Sequence, residues 1–251
     1  MTRLQPRILI YESLPSTNTE AARLAVEGAD EGLAIVADEQ TAGRGRMKRS
    51  WASPKGAGLY FSLLLRPKIS QDRWPLLTFV AALAVTDALR RGFRVETDIK
   101  WPNDILAGER KLCGILAEVV ETKTGRAVIV GIGINLTSSA IPPNLLNVAT
   151  SVADACNCRP DRDVLLQLLL EGIERWYSVL DRADGPDAIL AAWTRQSSYA
   201  SNKRVKISDA ERTITGITKG LDIHGGLILE VDTGEQMTIM AGDVVSLRPS
   251  N

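Results

Sequence analysis

The sequence contains little histidine and little cysteine, which narrows the chemistry that it can carry. Its 251 residues include one histidine, His224, and three cysteines. A single histidine excludes metal motifs that need two and argues against a Ser-His-Asp triad. Cys156 and Cys158 form an isolated C-x-C pair with no nearby histidine, so we expect no zinc site there. Such sparse cysteines favour a reduced, cytoplasmic setting.

Net charge and long apolar runs are absent as well. The 30 basic residues balance 30 acidic ones, whereas non-specific nucleic-acid binding needs a broad basic face. No stretch approaches the length of a membrane span, and the first residues do not read as a signal peptide. Positive charge is concentrated locally, so we expect any anionic partner to be small.

Apolar periodicity predicts an α+β fold, with helices packed on a mixed sheet, over residues 1–198. Strands are predicted at 7–11, 33–38 and 58–67 and in the segments RVETDIKW, KLCGILAEVV and AVIVGIGINL. Gly108 suggests a hairpin turn between the first two of these segments. Helices are predicted at 16–28, 74–92 and 161–180 and in PDAILAAWTRQ, and Thr17 with Glu20 fits a capping box.

After about residue 198 the pattern changes to short strands separated by turn residues. These strands are KRVKIS, RTITGITKG, GGLILEV, EQMTIM and VVSLRP. Five such strands predict a small all-β barrel, which we assign to residues 199–251. His224 falls in a predicted hairpin turn, so we expect it to have a structural role.

The segment GRGRMKRSW, residues 43–51, is the densest cluster of positive charge. Its cations are Arg44, Arg46, Lys48 and Arg49. One interpretation is a solvated basic loop, and the other is a loop that closes over an anion. Gly43 and Gly45 allow the backbone to fold down. Close cations repel one another, so we predict a loop that is mobile until an anion orders it.

Three further segments place reactive or small residues at strand ends. They are KWPND at 100–104, KLCGIL at 111–116 and GIGIN at 131–135. Pro102 cannot donate to a ladder, so the strand stops or bends there, and glycines inside strands often mark close approach of a ligand or backbone. The alternatives are lysines that are merely solvated and glycines that merely permit a bend. Neither a dinucleotide fingerprint nor a G-x-x-x-x-G-K-[ST] loop is present.

These motifs, in this order, resemble those of the biotin protein ligases. Further matches are STN at 16–18, Gln40 before the basic loop, and the C-terminal GITKGLDIHGGLILEVDTGEQMTIMAGDVVSLRP. The resemblance extends from about residue 7 to residue 248. It implies the class II synthetase-like biotin/lipoate ligase fold with a C-terminal SH3-like β-barrel. The implied activity is formation of biotinyl-5′-AMP from biotin and ATP with Mg²⁺, followed by transfer of biotin to a lysine of a biotin carboxyl carrier protein domain.

The resemblance also implies roles for individual residues. The implied biotin contacts are Ser16, Thr17, Asn18, Gln40, Gly43, Arg44, Gly45, Arg46, Lys111 and Gly114. The implied ATP or adenylate contacts are Arg46, Arg49, Trp51, Lys100, Asn103, Asp104, Lys111 and Asn135. Lys111 is the first candidate for catalysis, together with Arg46 and Arg44. Asp104 either orients a lysine or helps to hold Mg²⁺, and the hydroxyls of Ser16 and Thr17 have helix capping as an alternative role.

The sequence departs from the family loop, G-R-G-R-x-G-R-x-W, at one position. Lys48 stands where a third glycine is common, and a side chain there restricts φ. Cys113, beside Gly114, reads as a small packing residue. About six residues precede the first strand, so we expect no DNA-reading domain and no sequence-specific DNA binding.

Two alternative functions remain open from the sequence. A lipoate protein ligase has a similar fold and chemistry, but GRGR with its tryptophan, KWPND and the barrel favour biotin. A non-catalytic biotin or adenylate sensor is disfavoured because Lys111 and the loop arginines are present. Edge-to-edge pairing of sheet strands makes a homodimer a further expectation.

Overall fold

The computed structural model describes residues 4, 6–208 and 213–247 and is centred on a seven-stranded mixed sheet. Its strands are β1 (Arg7–Leu14), β2 (Leu33–Gln40), β3 (Gly58–Leu65), β4 (Asp98–Lys100), β5 (Asp104–Ala107), β6 (Arg110–Thr122) and β7 (Gly125–Asn135). Their order is β1-β2-β3-β7-β6-β5-β4. β1 and β2 pair in parallel, and the other neighbours pair antiparallel.

Helices cover both faces of this sheet. They are α1 (Thr17–Glu27), α2 (Leu76–Phe93), α3 (Val152–Cys156), α4 (Arg162–Leu180) and α5 (Gly185–Arg195). Side chains alternate between the faces of a strand, so Leu64 packs with α1 whereas Leu63 and Leu65 face the larger core around α2. α4 packs closely on α2, because a Cβ at Gly172 would lie 3.1 Å from the Ala84 Cα.

The C-terminal segment forms the five short strands that the sequence predicts. They are β8 (Ser201–Ser208), β9 (Thr213–Leu221), β10 (Leu227–Val231), β11 (Gln236–Ile239) and β12 (Asp243–Ser246), in the antiparallel order β11-β10-β9-β8-β12. Arg212, Arg248 and Pro249 of the predicted strands lie outside the described residues. The turn that contains His224 packs against the central sheet. Trp101, which lies between β4 and β5, donates from its Nε1 to the Gly225 carbonyl at 3.0 Å.

The sequence analysis missed one short strand next to KWPND. The chain leaves β4 at Lys100 and bends at Pro102, as expected, but it then forms β5, which the sequence did not reveal. β5 pairs with both β4 and β6, and Gly108 (φ +60°) joins β5 to β6. Four residues are too few for an alternating pattern to identify a strand.

Two helix-end predictions are wrong. α1 begins after Ser16 without a side-chain cap, because the Thr17 hydroxyl bonds to Gln40 and Glu20 accepts from Tyr11 and Arg23 instead. α2 continues through Gly92 to Phe93, and the next residue, Arg94, adopts the left-handed conformation that ends it.

The cysteines are also not all reduced. Cys156 and Cys158 form a disulfide just after α3, where Asn157 turns the chain at φ +51°. Two residues of separation across a helix end bring their Cα atoms to 5.2 Å, within disulfide range. Cys113 is a free, buried thiol, as its predicted packing role requires. Across the described chain, no helix combines the length and apolarity needed to cross a bilayer.

Candidate active site

A cleft of about 130 Å³ opens where the basic loop meets the sheet. Most of the residues that the sequence analysis assigned to the site line this cleft. They are Ser16, Thr17, Asn18, Gln40, Arg44, Gly45, Arg46, Arg49, Trp51, Asn103, Asp104, Lys111 and Gly114. They come from the start of α1, the end of β2, the loop, the β4–β5 turn and the start of β6. The fold therefore gathers most of the predicted site residues around one space.

Three predicted site residues do not line this cleft. Gly43 and Asn135 border a second hollow, of about 540 Å³, and Lys100 lines neither space. Asn135 is buried, and its amide donates to the Thr150 carbonyl at 3.0 Å. Arg49, Trp51 and Lys111 line both spaces, and apolar Ile141, Leu145 and Val148 line the second.

A hydrogen-bonded set of short polar side chains forms one wall of the cleft. Gln40 Oε1 accepts from the Thr17 amide at 2.8 Å and from its hydroxyl at 3.1 Å, while Gln40 Nε2 donates to Ser53 Oγ at 2.8 Å. Ser62 Oγ lies 2.7 Å from Thr17 Oγ1 and 2.6 Å from Asn18 Oδ1. Ser16, Thr17 and Asn18 are all buried, so this wall is firmly positioned.

Asn18 is held on three sides by protein groups. Its Nδ2 donates to the Leu116 carbonyl at 3.2 Å and to Glu118 Oε2 at 2.7 Å. Gly131 makes room for it, because a Cβ there would lie 2.1 Å from Asn18 Oδ1. The sequence analysis took the glycines of this strand as a sign that a ligand or another backbone comes close. At Gly131 the group that comes close is the Asn18 side chain.

The loop arginines have partners within the protein, which corrects the expectation of uncompensated cations. Arg44 Nη2 donates to Glu118 Oε2 at 2.8 Å, Arg46 Nη1 donates to Asn103 Oδ1 at 3.0 Å, and Arg49 pairs with Asp243. An isolated β-bridge also joins Arg44 to Ser50. The predicted mobility rested on repulsion between these cations, and the neighbouring acids reduce that repulsion.

The departure from the family loop coincides with unusual backbone. Met47 and Lys48 have φ values of +54° and +58°, in the left-handed region that favours glycine. Each costs on the order of 1 kcal/mol relative to ordinary backbone. The loop of this chain therefore adopts a backbone conformation that favours glycine, although Met47 and Lys48 both carry side chains.

Lys111 and Trp51 lie together at the centre of the cleft. Lys111 Nζ is 2.7 Å from Asp104 Oδ1 and 5.3 Å from the centre of the Trp51 ring. The ring lies over two strand glycines: an added Cβ would be 3.1 Å from it at Gly114 and 2.5 Å from Trp51 Nε1 at Gly133. The family resemblance implies that Gly114 lets biotin lie against the strand, and in the structure its close neighbour is Trp51.

Burial acts on several charged groups nearby. It lowers the pKa values of Arg46 and Lys100, with the Asp104 carboxylate opposing both shifts. It also raises the pKa of the Cys113 thiol, so this cysteine is not poised to react. Among the described residues, no group of three or more His, Cys, Asp or Glu side chains is arranged to hold a metal.

The sequence analysis did not identify Ser62, Glu118 and Asp243, which bond to residues that line the cleft. Ser62 is the one polar residue within the apolar run of β3, which was a usable signal. Glu118 continues the strand that begins with KLCGIL, but its partners are 74 and 100 residues away in the chain. Asp243 comes from the barrel, and nothing local in the sequence indicates that it reaches the cleft.

Comparison with known proteins agrees with this geometry. The chain belongs to the Biotin/lipoate A/B protein ligase family, whose model matches residues 10–135, and residues 200–246 match the Biotin protein ligase C terminal domain. It is 39% identical over 241 residues to the Bifunctional ligase/repressor BirA of Bacillus subtilis, covering 93% of this chain and 72% of that protein. It is 36% identical over 243 residues to the Biotin–[acetyl-CoA-carboxylase] ligase of Mycobacterium tuberculosis, covering 93% and 86%.

A solved structure extends the similarity to the whole fold. The biotin protein ligase from Aquifex aeolicus in complex with biotin and ATP is 30% identical, with a TM-score of 0.83, and the match covers 97% of this chain and 99% of that one. The expected fold class, a biotin/lipoate ligase sheet with a C-terminal SH3-like barrel, is confirmed.

Proposed function

We propose that this protein is a biotin–[acetyl-CoA-carboxylase] ligase, which uses MgATP to attach biotin to a lysine. The biotin carboxylate attacks the α-phosphorus of ATP, pyrophosphate leaves, and biotinyl-5′-AMP forms. The acceptor lysine amine, after losing a proton, then attacks the acyl carbon and releases AMP. The observation that carries the proposal is the single cleft that combines Lys111, three loop arginines and a wall of fixed polar groups.

The polar wall is suited to the ureido ring of biotin. That ring has two N–H donors and one carbonyl acceptor, and the wall supplies hydroxyls from Ser16 and Thr17 and the amide of Gln40. Asn18 is occupied by its protein partners, so we assign it to positioning this wall. Burial of these groups fixes their geometry, which lowers the ordering cost of binding.

Lys111 is the proposed catalytic residue. It lines both spaces, so it lies where a carboxylate from the first and a phosphate from the second would meet. A compact ammonium there offsets the repulsion between two anions and stabilises charge in the transition state. Arg44 and Arg46 extend this positive charge along the loop, and closure of the loop excludes water from the reactive adenylate.

The second hollow is the proposed nucleotide side. Its apolar lining suits a base, Arg49 and Trp51 stand at its border with the cleft, and Asn135 closes one wall. Mg²⁺ enters with the phosphates as part of the substrate, and the carboxylate of Asp104 has the oxygen chemistry that Mg²⁺ prefers. The same carboxylate orients Lys111. Lys100 contributes positive charge from behind without touching either space.

An ATP–pyrophosphate exchange assay tests the proposal. Exchange that requires biotin, and that lipoate does not support, is the expected result. Exchange that requires lipoate would make the protein a lipoate ligase, and binding of biotin without exchange would make it a sensor. Transfer of labelled biotin to a purified biotin carboxyl carrier domain then tests the second step.

The cellular setting forms part of the same proposal. We propose cytoplasmic action, because ATP and carboxylase acceptors meet there, and no sequence-specific DNA binding, because the charge is balanced. A gel shift with a defined operator tests the latter, and saturable sequence-dependent binding would contradict it. A homodimer formed through a sheet edge, where β1 is the outermost strand among the described residues, is tested by sedimentation equilibrium.

A further inference from the structure

The C-terminal barrel reaches the cleft through one corner, Gly242 and Asp243. Asp243, the first residue of β12, lines the cleft and accepts a hydrogen bond from Arg49 Nη2 through its Oδ2. The Gly242 carbonyl lies 3.4 Å from Arg46 Nη1, which also donates to Asn103. Residues 194 positions apart in the chain are therefore in direct contact at the site.

The charge of Asp243 acts on more than one cation. Burial lowers the pKa of Arg46 and of Lys100, and the Asp243 carboxylate opposes the shift at each. Asp104, another acidic group of the cleft, pairs with Lys111 and also acts on Arg46 and Lys100. The barrel thus adds the carboxylate of Asp243 to the one that Asp104 supplies to these cations.

We propose that the Asp243 carboxylate holds the Arg49 guanidinium beside Arg46 and competes with nucleotide phosphates for it. This inference rests on the proposed function. Carboxylate and phosphate oxygens use the same guanidinium N–H donors, so the two anions compete for Arg49. The Arg49 side chain is 65% exposed, and ion pairs in such surroundings are weak, which makes the exchange easy.

The competition predicts a specific change in affinity. Asp243→Asn keeps the size of the side chain and removes its charge, so inorganic pyrophosphate and MgATP should bind about threefold more tightly. Because Asp243 contacts Arg49, its loss should change the KM for MgATP by a larger factor than it changes kcat. A purely structural role would not produce that split.

Two further variants complete the test. Asp243→Glu retains the charge and should bind pyrophosphate as the original protein does. Asp232→Asn removes a carboxylate that pairs with Arg204 elsewhere on the barrel, and it should leave anion binding unchanged.

Calorimetric titration with pyrophosphate, alongside thermal unfolding of each variant, makes the measurement. Unchanged or weaker pyrophosphate binding in Asp243→Asn would overturn the proposal, as would tighter binding in Asp232→Asn. The titration requires no catalysis, so a protein without biotin-dependent exchange would refute the proposed function while the competition at Arg49 was still measured.

Discussion

Arg44 and Asn18 share one acceptor, Glu118 Oε2, at 2.8 Å and 2.7 Å. Arg44 belongs to the basic loop, Asn18 to the first turn of α1, and Glu118 to β6. One carboxylate oxygen therefore ties the loop to the wall that is proposed to receive biotin.

Glu118→Gln tests this connection. Glutamine can still accept from Asn18, but it loses the charge that pairs with Arg44. An ion pair this exposed contributes up to about 1 kcal/mol, so we expect biotin affinity by calorimetry to fall by up to about fivefold. Glu121→Gln is the matched control, because Glu121 pairs with Arg126 at the exposed end of the same strand. Equal biotin affinity in Glu118→Gln and the original protein would remove Glu118 from the site.

Lys111→Ala separates chemistry from biotin capture. Lys111 should act most strongly when the two anions meet, so its loss should slow adenylate formation about a hundredfold, or by about 3 kcal/mol, with a smaller effect on biotin binding. Single-turnover adenylation and calorimetry provide the two measurements, and Lys123→Ala, an exposed turn lysine, is the control. Lys111→Arg should not rescue fully, since a planar guanidinium differs in shape from an ammonium. Near-normal adenylation in Lys111→Ala would transfer the role to Arg46 or Lys100.

Gly131→Ala should disturb the polar wall from behind. The new Cβ would meet Asn18 Oδ1 at 2.1 Å, so Asn18 must shift or β7 must move. Overpacking of this kind costs about 1–3 kcal/mol of unfolding free energy, and we expect biotin affinity to fall as well. At Gly45 the nearest atom to an added Cβ is 3.6 Å away, so Gly45→Ala should change stability by less than about 0.5 kcal/mol. Denaturant unfolding of the two variants checks the difference, and equal stability would contradict it.

A buried carboxylate away from the cleft should control stability without affecting catalysis. Asp87 on α2 accepts from Arg90, Arg175 and the indole N–H of Trp176, which joins α2 to α4. Asp87→Asn leaves these donors without a charged partner and should lower the unfolding free energy by about 3 kcal/mol. Glu171→Gln breaks the exposed pair with Arg91 and should cost less than about 0.5 kcal/mol. A loss of similar size in both variants, measured by urea unfolding, would show that burial of Asp87 is not the cause.

Local patterns explain why much of the architecture was predictable. The amphipathic period of residues 161–180 predicts α4, which spans Arg162–Leu180, because one face of a helix packs on the core. The alternation and turn residues after residue 198 likewise predict β8 to β12. β5 escaped prediction because four residues held between two partner strands carry too little pattern of their own. The predicted capping box failed because Thr17 has a tertiary partner, Gln40, that a local motif does not include.

The sequence by itself determined the order of most helices and strands, apart from β5 and α3, together with the family motifs and the clustering of cations at residues 43–51, since each depends on neighbours along the chain. Only the tertiary structure decided which groups those cations meet. Glu118 of β6 meets Arg44, and Asp243 of the barrel meets Arg49. Asp104 of β5 meets Lys111, the further cation of the cleft. Such pairings depend on strand register and on how the barrel packs against the sheet. Both are set by burial of apolar surface over the whole molecule, so no short segment carries the information.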